Sequence, residues 1–297
     1  MRPAHDVRPA HDARPLGINT WVWTSPLTDA DAPDLFGKVA ALGYDVVELP
    51  LEQAGDLTPE VVGPLLEATG LGATVVGAMG PGRDLVAGDA DVAATQDYLR
   101  ACIDLAAGIG ARTVCGPFYA TTGRVWRMTP TEREVAYARW REGLGPVVEH
   151  AAAAGVQLGI EPLNRYETSL VNTVDQAMTG LGDLLGPVGL ALDTYHLNIE
   201  ERSSADAIRL AGQHLVHLQV CGNDRGAPGG DQTDWDGIVS ALDEVGYDGP
   251  LVIESFTADN ATIAVAASIW RPLAATQDDL ARDGLVFLRS LDTEAAR

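Results

Sequence analysis

Basic residues are scarce in this sequence, in which 20 Lys and Arg face 42 Asp and Glu and give 297 residues a net charge of −22. Nucleic acids and anionic membranes attract clustered Lys and Arg, so neither is expected as a partner. A small neutral molecule fits this charge better. Most of the carboxylates are assigned to a solvated surface, which leaves few of them for chemistry.

Cysteine is also scarce, because the chain contains only Cys102, Cys115 and Cys221, all inside apolar segments. An odd and sparse set of this kind is not typical of a disulfide framework, and a reducing cytoplasmic location is expected. The first fifteen residues, MRPAHDVRPAHDARP, lack the apolar stretch that a signal peptide or membrane anchor requires. We predict a disordered tail over residues 1–15, with His5 and His11 solvated, and one domain over residues 16–297.

From Leu16 onward, short apolar runs rich in Val, Ile and Leu alternate with longer segments of helical periodicity. Eight such runs occur, at residues 16–22, 45–51, 73–79, 112–118, 156–163, 188–196, 214–221 and 250–256. Helices are predicted at residues 33–42, 58–69, 91–109, 131–154, 174–185, 205–211, 235–245 and 263–291.

Eight βα units predict an α/β fold, a single (β/α)8 TIM barrel, because near-continuous apolar strands are expected in a parallel sheet that helices cover. Glycine-containing steps such as GYD and GIGA come just before strands, where a helix ends and the chain turns. A doubly wound open sheet is the alternative. It is disfavoured because the first strand runs into WVWTSPLTD, without the Gly-rich turn of a dinucleotide or phosphate site.

Polar residues occur at the ends of the last four apolar runs, and active sites of barrels lie at the C-terminal ends of strands. One such acid alone is explained by a helix cap or an Arg partner. Several carboxylates that converge in a barrel mouth repel one another unless a cation neutralises them. Ligands dominated by oxygen favour a hard divalent ion, with Mn²⁺ foremost and Mg²⁺ or Co²⁺ as alternatives. The candidates are Glu161, Asp193, His196, His217, Gln219 and Glu254.

At these residues the sequence resembles the xylose-isomerase-like barrel superfamily and, within it, the D-tagatose, D-psicose (allulose) and L-ribulose 3-epimerase group. The resemblance spans Leu16 to about Leu291 and is carried by GIEPLNRYET, ALDTYH, HLQVCGNDRGAPG and VIESF. It implies one divalent metal held by Glu161, Asp193, Gln219 and Glu254. It also implies contacts from Glu167, His196 and Arg225 to the oxygens of a sugar.

Two positions depart from the epimerase pattern. The group usually has His-x-His on strand seven with the second His as ligand, whereas this chain has His217, Leu218 and Gln219. A Gln oxygen coordinates Mn²⁺ or Mg²⁺, and barrels similar to hydroxypyruvate isomerase have Gln there. Gly222 stands where the epimerase motif usually has Glu, so the substrate preference is expected to differ.

Aromatic residues at or after strand ends are candidates for stacking on the apolar face of a sugar. Trp21 and Trp23 are two residues apart and are expected on one side of the first strand. We predict that Trp23, Tyr119 and Trp126 contribute to substrate binding.

The expected function is that of a metal-dependent ketose 3-epimerase, or an aldose–ketose isomerase, acting on an unphosphorylated monosaccharide. Glu161 and Glu254 are the predicted acid–base pair, one on each face of C3, and they work through an enediolate. The alternatives are a lyase of the inosose dehydratase or 3-oxo-glycoside C-deglycosylase type, a hydroxypyruvate isomerase-like enzyme, and a non-catalytic sugar-binding barrel. The resemblance implies a homodimer or homotetramer.

Overall fold

Eight parallel strands close into a barrel in chain order, as the sequence predicts. The computed structural model describes residues 14–295, with side chains up to residue 291. The strands are β1 (Leu16–Asn19), β2 (Val46–Leu51), β3 (Gly72–Gly77), β4 (Thr113–Gly116), β5 (Gln157–Ile160), β6 (Val188–Asp193), β7 (Leu215–Val220) and β8 (Leu251–Ile253). The (β/α)8 prediction is therefore confirmed.

The helices surround this barrel and cover the outer faces of its strands. They are α1 (Ala32–Leu42), α2 (Pro59–Thr69), α3 (Asp89–Gly108), α4 (Pro130–Ala154), α5 (Val174–Leu181), α6 (Thr194–Glu200), α7 (Ser204–Ala211), α8 (Trp235–Val245), α9 (Ala261–Ala266) and α10 (Gln277–Ala295). No helix among the described residues combines the length and apolar character that a membrane span requires.

The helix predicted over residues 263–291 is wrong, because the structure has two helices, α9 and α10, with an irregular segment over residues 267–276. Two features of this segment oppose a helix. Ser268 adopts a φ of 57°, in the left-handed region. Pro272 has no N–H to donate and disfavours helical geometry at the residue before it.

Part of the predicted N-terminal tail contacts the barrel. Residues 1–13 of the predicted tail lie outside the described residues. Arg14 and Pro15, which the prediction placed in the tail, contact the barrel. The Arg14 guanidinium donates to the backbone oxygen of Tyr247 at 2.9 Å, and the Pro15 oxygen accepts from the Leu251 N–H at 2.9 Å.

Gly116 is the last residue of β4, and its backbone approaches β3 closely. Its φ is +149°, and a Cβ at this position would lie 2.4 Å from the backbone oxygen of Gly77. The Gly116 oxygen accepts the N–H of Glu161 at 3.0 Å. A side chain here would therefore displace β3 or β4 and, with them, the backbone of Glu161.

We expect Gly116→Ala to lower the free energy of unfolding by about 3 kcal/mol or more, because strain and a backbone clash combine. Gly37→Ala is the matched control, since Gly37 is an exposed residue inside α1 and a Cβ there would meet nothing within 4 Å. This control is expected to be neutral or to stabilise by up to about 1 kcal/mol. Urea denaturation measures both values, and equal stabilities for the two variants would contradict the assignment.

Candidate active site

A cavity of about 470 Å³ opens at the C-terminal ends of the strands, where the sequence predicts the site. Five of the predicted functional residues line it: Glu161, Glu167, His196, Arg225 and Glu254. Trp21, Met79 and Phe256 form part of its apolar wall. The cavity therefore has a polar end, formed by side chains at or after the ends of β5 to β8, and a mainly apolar wall.

Arg225 lies among three buried carboxylates, of which those of Glu161 and Glu254 line the polar end of the cavity and that of Asp193 does not. The Arg225 guanidinium contacts the Asp193 carboxylate, and its Nη1 lies 3.0 Å from Glu254 Oε2. His196 Nε2 lies 3.4 Å from Glu161 Oε1. Glu161, Asp193 and His196 form a group in which one candidate ligand atom from each residue lies within 4.8 Å of the others.

The electrostatics of this group favour an additional positive charge. Burial, reinforced by the carboxylates of Glu254 and Asp193, raises the pKa of Glu161 well above its usual value. Burial also raises the pKa of Glu254 well above its usual value, and Asp193 adds to this shift while Arg225 opposes it. A cation that binds between these carboxylates would stabilise their ionised forms.

Gln219 supplies an oxygen that suits such a cation. Its Nε2 donates to Glu48 Oε1 at 2.7 Å and to Glu254 Oε1 at 2.9 Å. Its Oε1 is buried and has no hydrogen-bond partner. A buried acceptor without a donor costs free energy, which an ion with oxygen ligands would remove. Glu161, Asp193, Gln219 and Glu254 thus fit a divalent cation.

The loop after β7 holds Arg225 in a left-handed backbone conformation, with a φ of 69°. A hydrogen bond of 2.9 Å from the Gly222 N–H to the Gly226 oxygen closes the loop, and Ser255 Oγ donates to the Arg225 oxygen at 2.5 Å. The guanidinium lies 4.1 Å from the centre of the Tyr195 ring. Non-Gly residues rarely adopt such a φ, and those that do are often found at functional sites.

The loop after β5 orients Glu167 and His196 through one residue. Asn164 Nδ2 donates to Glu167 Oε1 at 2.6 Å, and the Asn164 N–H donates to His196 Nδ1 at 3.1 Å. Burial and the nearby Arg225 lower the pKa of His196. The neutral imidazole is therefore the form favoured in this cavity.

The three predicted aromatic contacts lie outside the cavity lining. Trp23 Nε1 donates to Asp278 Oδ1 at 2.7 Å, on the side of the barrel where α10 begins. Trp126 stacks with Arg124, and Tyr119 is fully buried with its hydroxyl donating to the backbone oxygen of Glu161 at 3.0 Å. Tyr119 therefore stabilises the backbone of Glu161 and does not face the cavity.

Trp21 lines the cavity and packs on Phe256, with ring centres 5.6 Å apart. The shared face expected for Trp21 and Trp23 does not form, because Thr20–Val22 is a 3-10 helix rather than strand. In that geometry residues two apart point in different directions. Sequence reasoning also missed Glu48, a buried acid in the middle of the second apolar run.

Comparison with known proteins identifies the same family that the sequence motifs resemble. A family model described as xylose isomerase-like TIM barrel matches residues 36–291. The chain belongs to this family. Ketose 3-epimerase from Arthrobacter globiformis is 30% identical over 278 residues, which cover 92% of this chain and 95% of that protein. D-psicose 3-epimerase from Agrobacterium fabrum is 30% identical over 265 residues, covering 85% of this chain and 90% of that protein.

The family relationship extends to solved structures. The crystal structure of D-allulose 3-epimerase from Methylomonas sp. in complex with D-allulose matches with a TM-score of 0.85 at 28% identity. That match covers 95% of this chain and 98% of the other. The predicted resemblance and the predicted isomerase class are confirmed.

Proposed function

We propose that this protein is a divalent-metal-dependent ketose 3-epimerase that acts on an unphosphorylated monosaccharide. The observation that carries the proposal is the placement of Glu161 and Glu254. They follow β5 and β8, which are three strands apart in the closed barrel, and both line the same cavity. Two carboxyl groups on different sides of one bound molecule are what proton exchange between two faces of a carbon requires.

The relatives support this proposal over most of the chain. Proteins named ketose 3-epimerase and D-psicose 3-epimerase match at 30% identity, and a D-allulose 3-epimerase has been solved with D-allulose bound. Gln219 supports one variation within the same chemistry, because Gln at this position resembles barrels of the hydroxypyruvate isomerase type. Proton return to C1 instead of C3 would make the reaction an aldose–ketose isomerisation.

In the proposed mechanism, Glu161, Asp193, Gln219 and Glu254 hold the cation, with Mn²⁺ favoured. When bound, the cation would supply positive charge that polarises the C2 carbonyl of the ketose and reduces the repulsion among these carboxylates. One of Glu161 and Glu254 removes the proton at C3, and the other delivers a proton to the opposite face. The raised pKa of both groups suits carboxyls that alternate between ionised and protonated forms.

The remaining site residues would bind the sugar. His196, Arg225 and Glu167 line the polar end of the cavity and are proposed to contact the carbonyl and hydroxyl oxygens. Arg225 is the only Lys or Arg that lines this cavity among the described residues, and two carboxylates already occupy its guanidinium. A phosphate would therefore find no free cationic side chain there, which favours an unphosphorylated substrate.

Exposed apolar side chains near the cavity support a homodimer or homotetramer. Val265 and Trp270 are exposed on and after α9, and Val265 also lines the cavity. Exposed groups of this kind often mark contact surfaces between subunits. The oligomeric state and a cytoplasmic location remain predictions.

Deuterium wash-in tests the proposed reaction. The Mn²⁺-loaded protein is incubated in deuterated water with D-fructose, D-tagatose, D-psicose and L-ribulose, and proton NMR follows the signals at C1 and C3. We expect deuterium at C3 together with the 3-epimer, and we expect both to disappear when a chelator removes the metal. Exchange at C1 alone would instead identify an isomerase. No exchange on any free ketose would contradict the proposal and favour the lyases.

A further inference from the structure

Glu48 is a fully buried acid that does not belong to the cavity lining. It lies on β2, and its carboxylate accepts hydrogen bonds from Asn19 Nδ2 at 3.0 Å, Thr74 Oγ1 at 3.1 Å and Gln219 Nε2 at 2.7 Å. His217 Nε2 lies 2.7 Å from Glu48 Oε2. A buried carboxylate with this many donors is retained at considerable desolvation cost, so a structural or functional role is expected.

Two carboxylates, Glu48 and Glu254, determine which way the Gln219 amide faces. Ionised carboxylates only accept hydrogen bonds, whereas an amide has a donor end and an acceptor end. The amide nitrogen of Gln219 contacts oxygens of both Glu48 and Glu254. Reversing the amide would place its oxygen against those two oxygens. The donors of Gln219 are therefore used by carboxylates, and its Oε1 remains as the group without a partner.

We propose that Glu48 is a positioning residue, which holds the Gln219 amide with its oxygen rather than its NH₂ group directed to the divalent cation. This inference rests on the proposed function, because it concerns the same cation. A His at position 219 presents a ring nitrogen to a metal. A Gln binds a metal only through its oxygen, and the opposite orientation would replace a ligand with two N–H dipoles that repel a cation. A neighbouring fixed carboxylate removes that alternative.

Glu48→Gln tests this assignment with little change in shape. The new amide presents either its oxygen or its NH₂ group to Gln219, so only the contact to Glu254 still favours one orientation of the Gln219 amide. We expect Mn²⁺ affinity, measured from the EPR signal of the free ion during titration, to weaken about 10- to 100-fold, as is typical when a residue that orients a metal ligand is lost. Thermal unfolding in a chelator checks that the fold is intact.

Thr74→Val is the matched control, because Thr74 donates to Glu48 Oε2 whereas the Gln219 amide contacts Oε1. This variant removes one hydrogen bond to Glu48 but leaves the hydrogen bond from the Gln219 amide to Glu48. We expect it to lower stability without a comparable loss of Mn²⁺ affinity. If Glu48 were merely structural, both variants would lower stability and neither would weaken Mn²⁺ binding.

A double-mutant cycle separates orientation from a general effect of charge. In a Gln219→Leu background no amide remains to be oriented, so Glu48→Gln is expected to cause no further loss of Mn²⁺ affinity. The same fold-loss in both backgrounds would overturn the inference, as would unchanged affinity in Glu48→Gln alone. Should Glu48→Gln fail to fold, Glu48→Asp takes its place, since the shorter carboxylate also withdraws from the amide.

The two proposals fail in different ways. A wild-type protein that binds no Mn²⁺ and exchanges no C3 proton would contradict the proposed function. A wild-type protein that does both, with Mn²⁺ affinity independent of Glu48, would contradict only the positioning role.

Discussion

Replacing either Glu161 or Glu254 with Gln is expected to lower the rate of epimerisation by about 10²- to 10⁴-fold, the range typical of a lost general acid or base. A Gln side chain keeps the size of Glu and one oxygen for the metal, but it neither accepts nor delivers a proton at C3. Both variants are assayed at saturating Mn²⁺, with bound metal quantified, so that a loss of metal is distinguished from a loss of chemistry.

The two variants are expected to differ in the exchange that they retain. Each keeps one carboxyl group, which still removes and returns a proton on its own face of C3. Glu161→Gln should therefore wash deuterium into one epimer without inversion, and Glu254→Gln should do so for the other epimer. Proton NMR in deuterated water with each epimer supplied separately measures this partition.

Glu67→Gln is the control for this pair, because Glu67 is an exposed residue of α2, remote from the residues that line the cavity. It should epimerise at the wild-type rate. Retention of full activity in Glu161→Gln or Glu254→Gln would contradict the two-base assignment. So would exchange of the same epimer in both variants, since that result would place both carboxyl groups on one face.

The barrel is predictable from sequence because each structural unit has its own local signal. Runs such as VGLAL at residues 188–192 are apolar on both faces, as strands between a packed interior and a layer of helices must be. A glycine such as Gly43, with a φ of 96°, ends the helix that comes before a strand. The predicted helix over residues 263–291 failed because its apolar periodicity continues across Pro272. Periodicity reports which residues are apolar, not whether the backbone between them is continuous.

The candidate ligands are predictable for a topological reason. Parallel strands all end at one rim of the barrel, so acids at the ends of β5, β6 and β8 must converge there, and this can be predicted without any knowledge of side-chain geometry. Glu48 escaped this reasoning because it lies within β2, not after it. Its signal was a charge inside a segment, Val46–Leu51, whose other residues are apolar. The expectation of a shared face for Trp21 and Trp23 failed because it depended on where a side chain points, which the 3-10 turn at Thr20–Val22 changes.

Arg225→Met is expected to separate catalysis from metal binding. Loss of the guanidinium removes a charged donor from the polar end of the cavity, and we expect kcat/KM to fall about 10²- to 10³-fold, as for a lost stabilising donor. Mn²⁺ affinity should be retained or increased. The reason is that Arg225 contacts Asp193 and Glu254, two of the proposed ligands, and its charge opposes a second cation between them.

Stability gives an independent check on this separation. Without metal, Arg225→Met leaves the buried Asp193 and Glu254 carboxylates without their cationic partner, and a loss of about 3–5 kcal/mol is expected when one member of a buried ion pair is removed. Bound Mn²⁺ replaces the missing charge, so the metal-induced rise in Tm should exceed that of the wild type. Arg271→Met is the control. Arg271 forms an ion pair with Asp224, which lies on the same loop as Arg225, but the Arg271 side chain is exposed. Weaker Mn²⁺ binding in Arg225→Met than in this control would show that the guanidinium supports the metal ligands instead of competing with the cation.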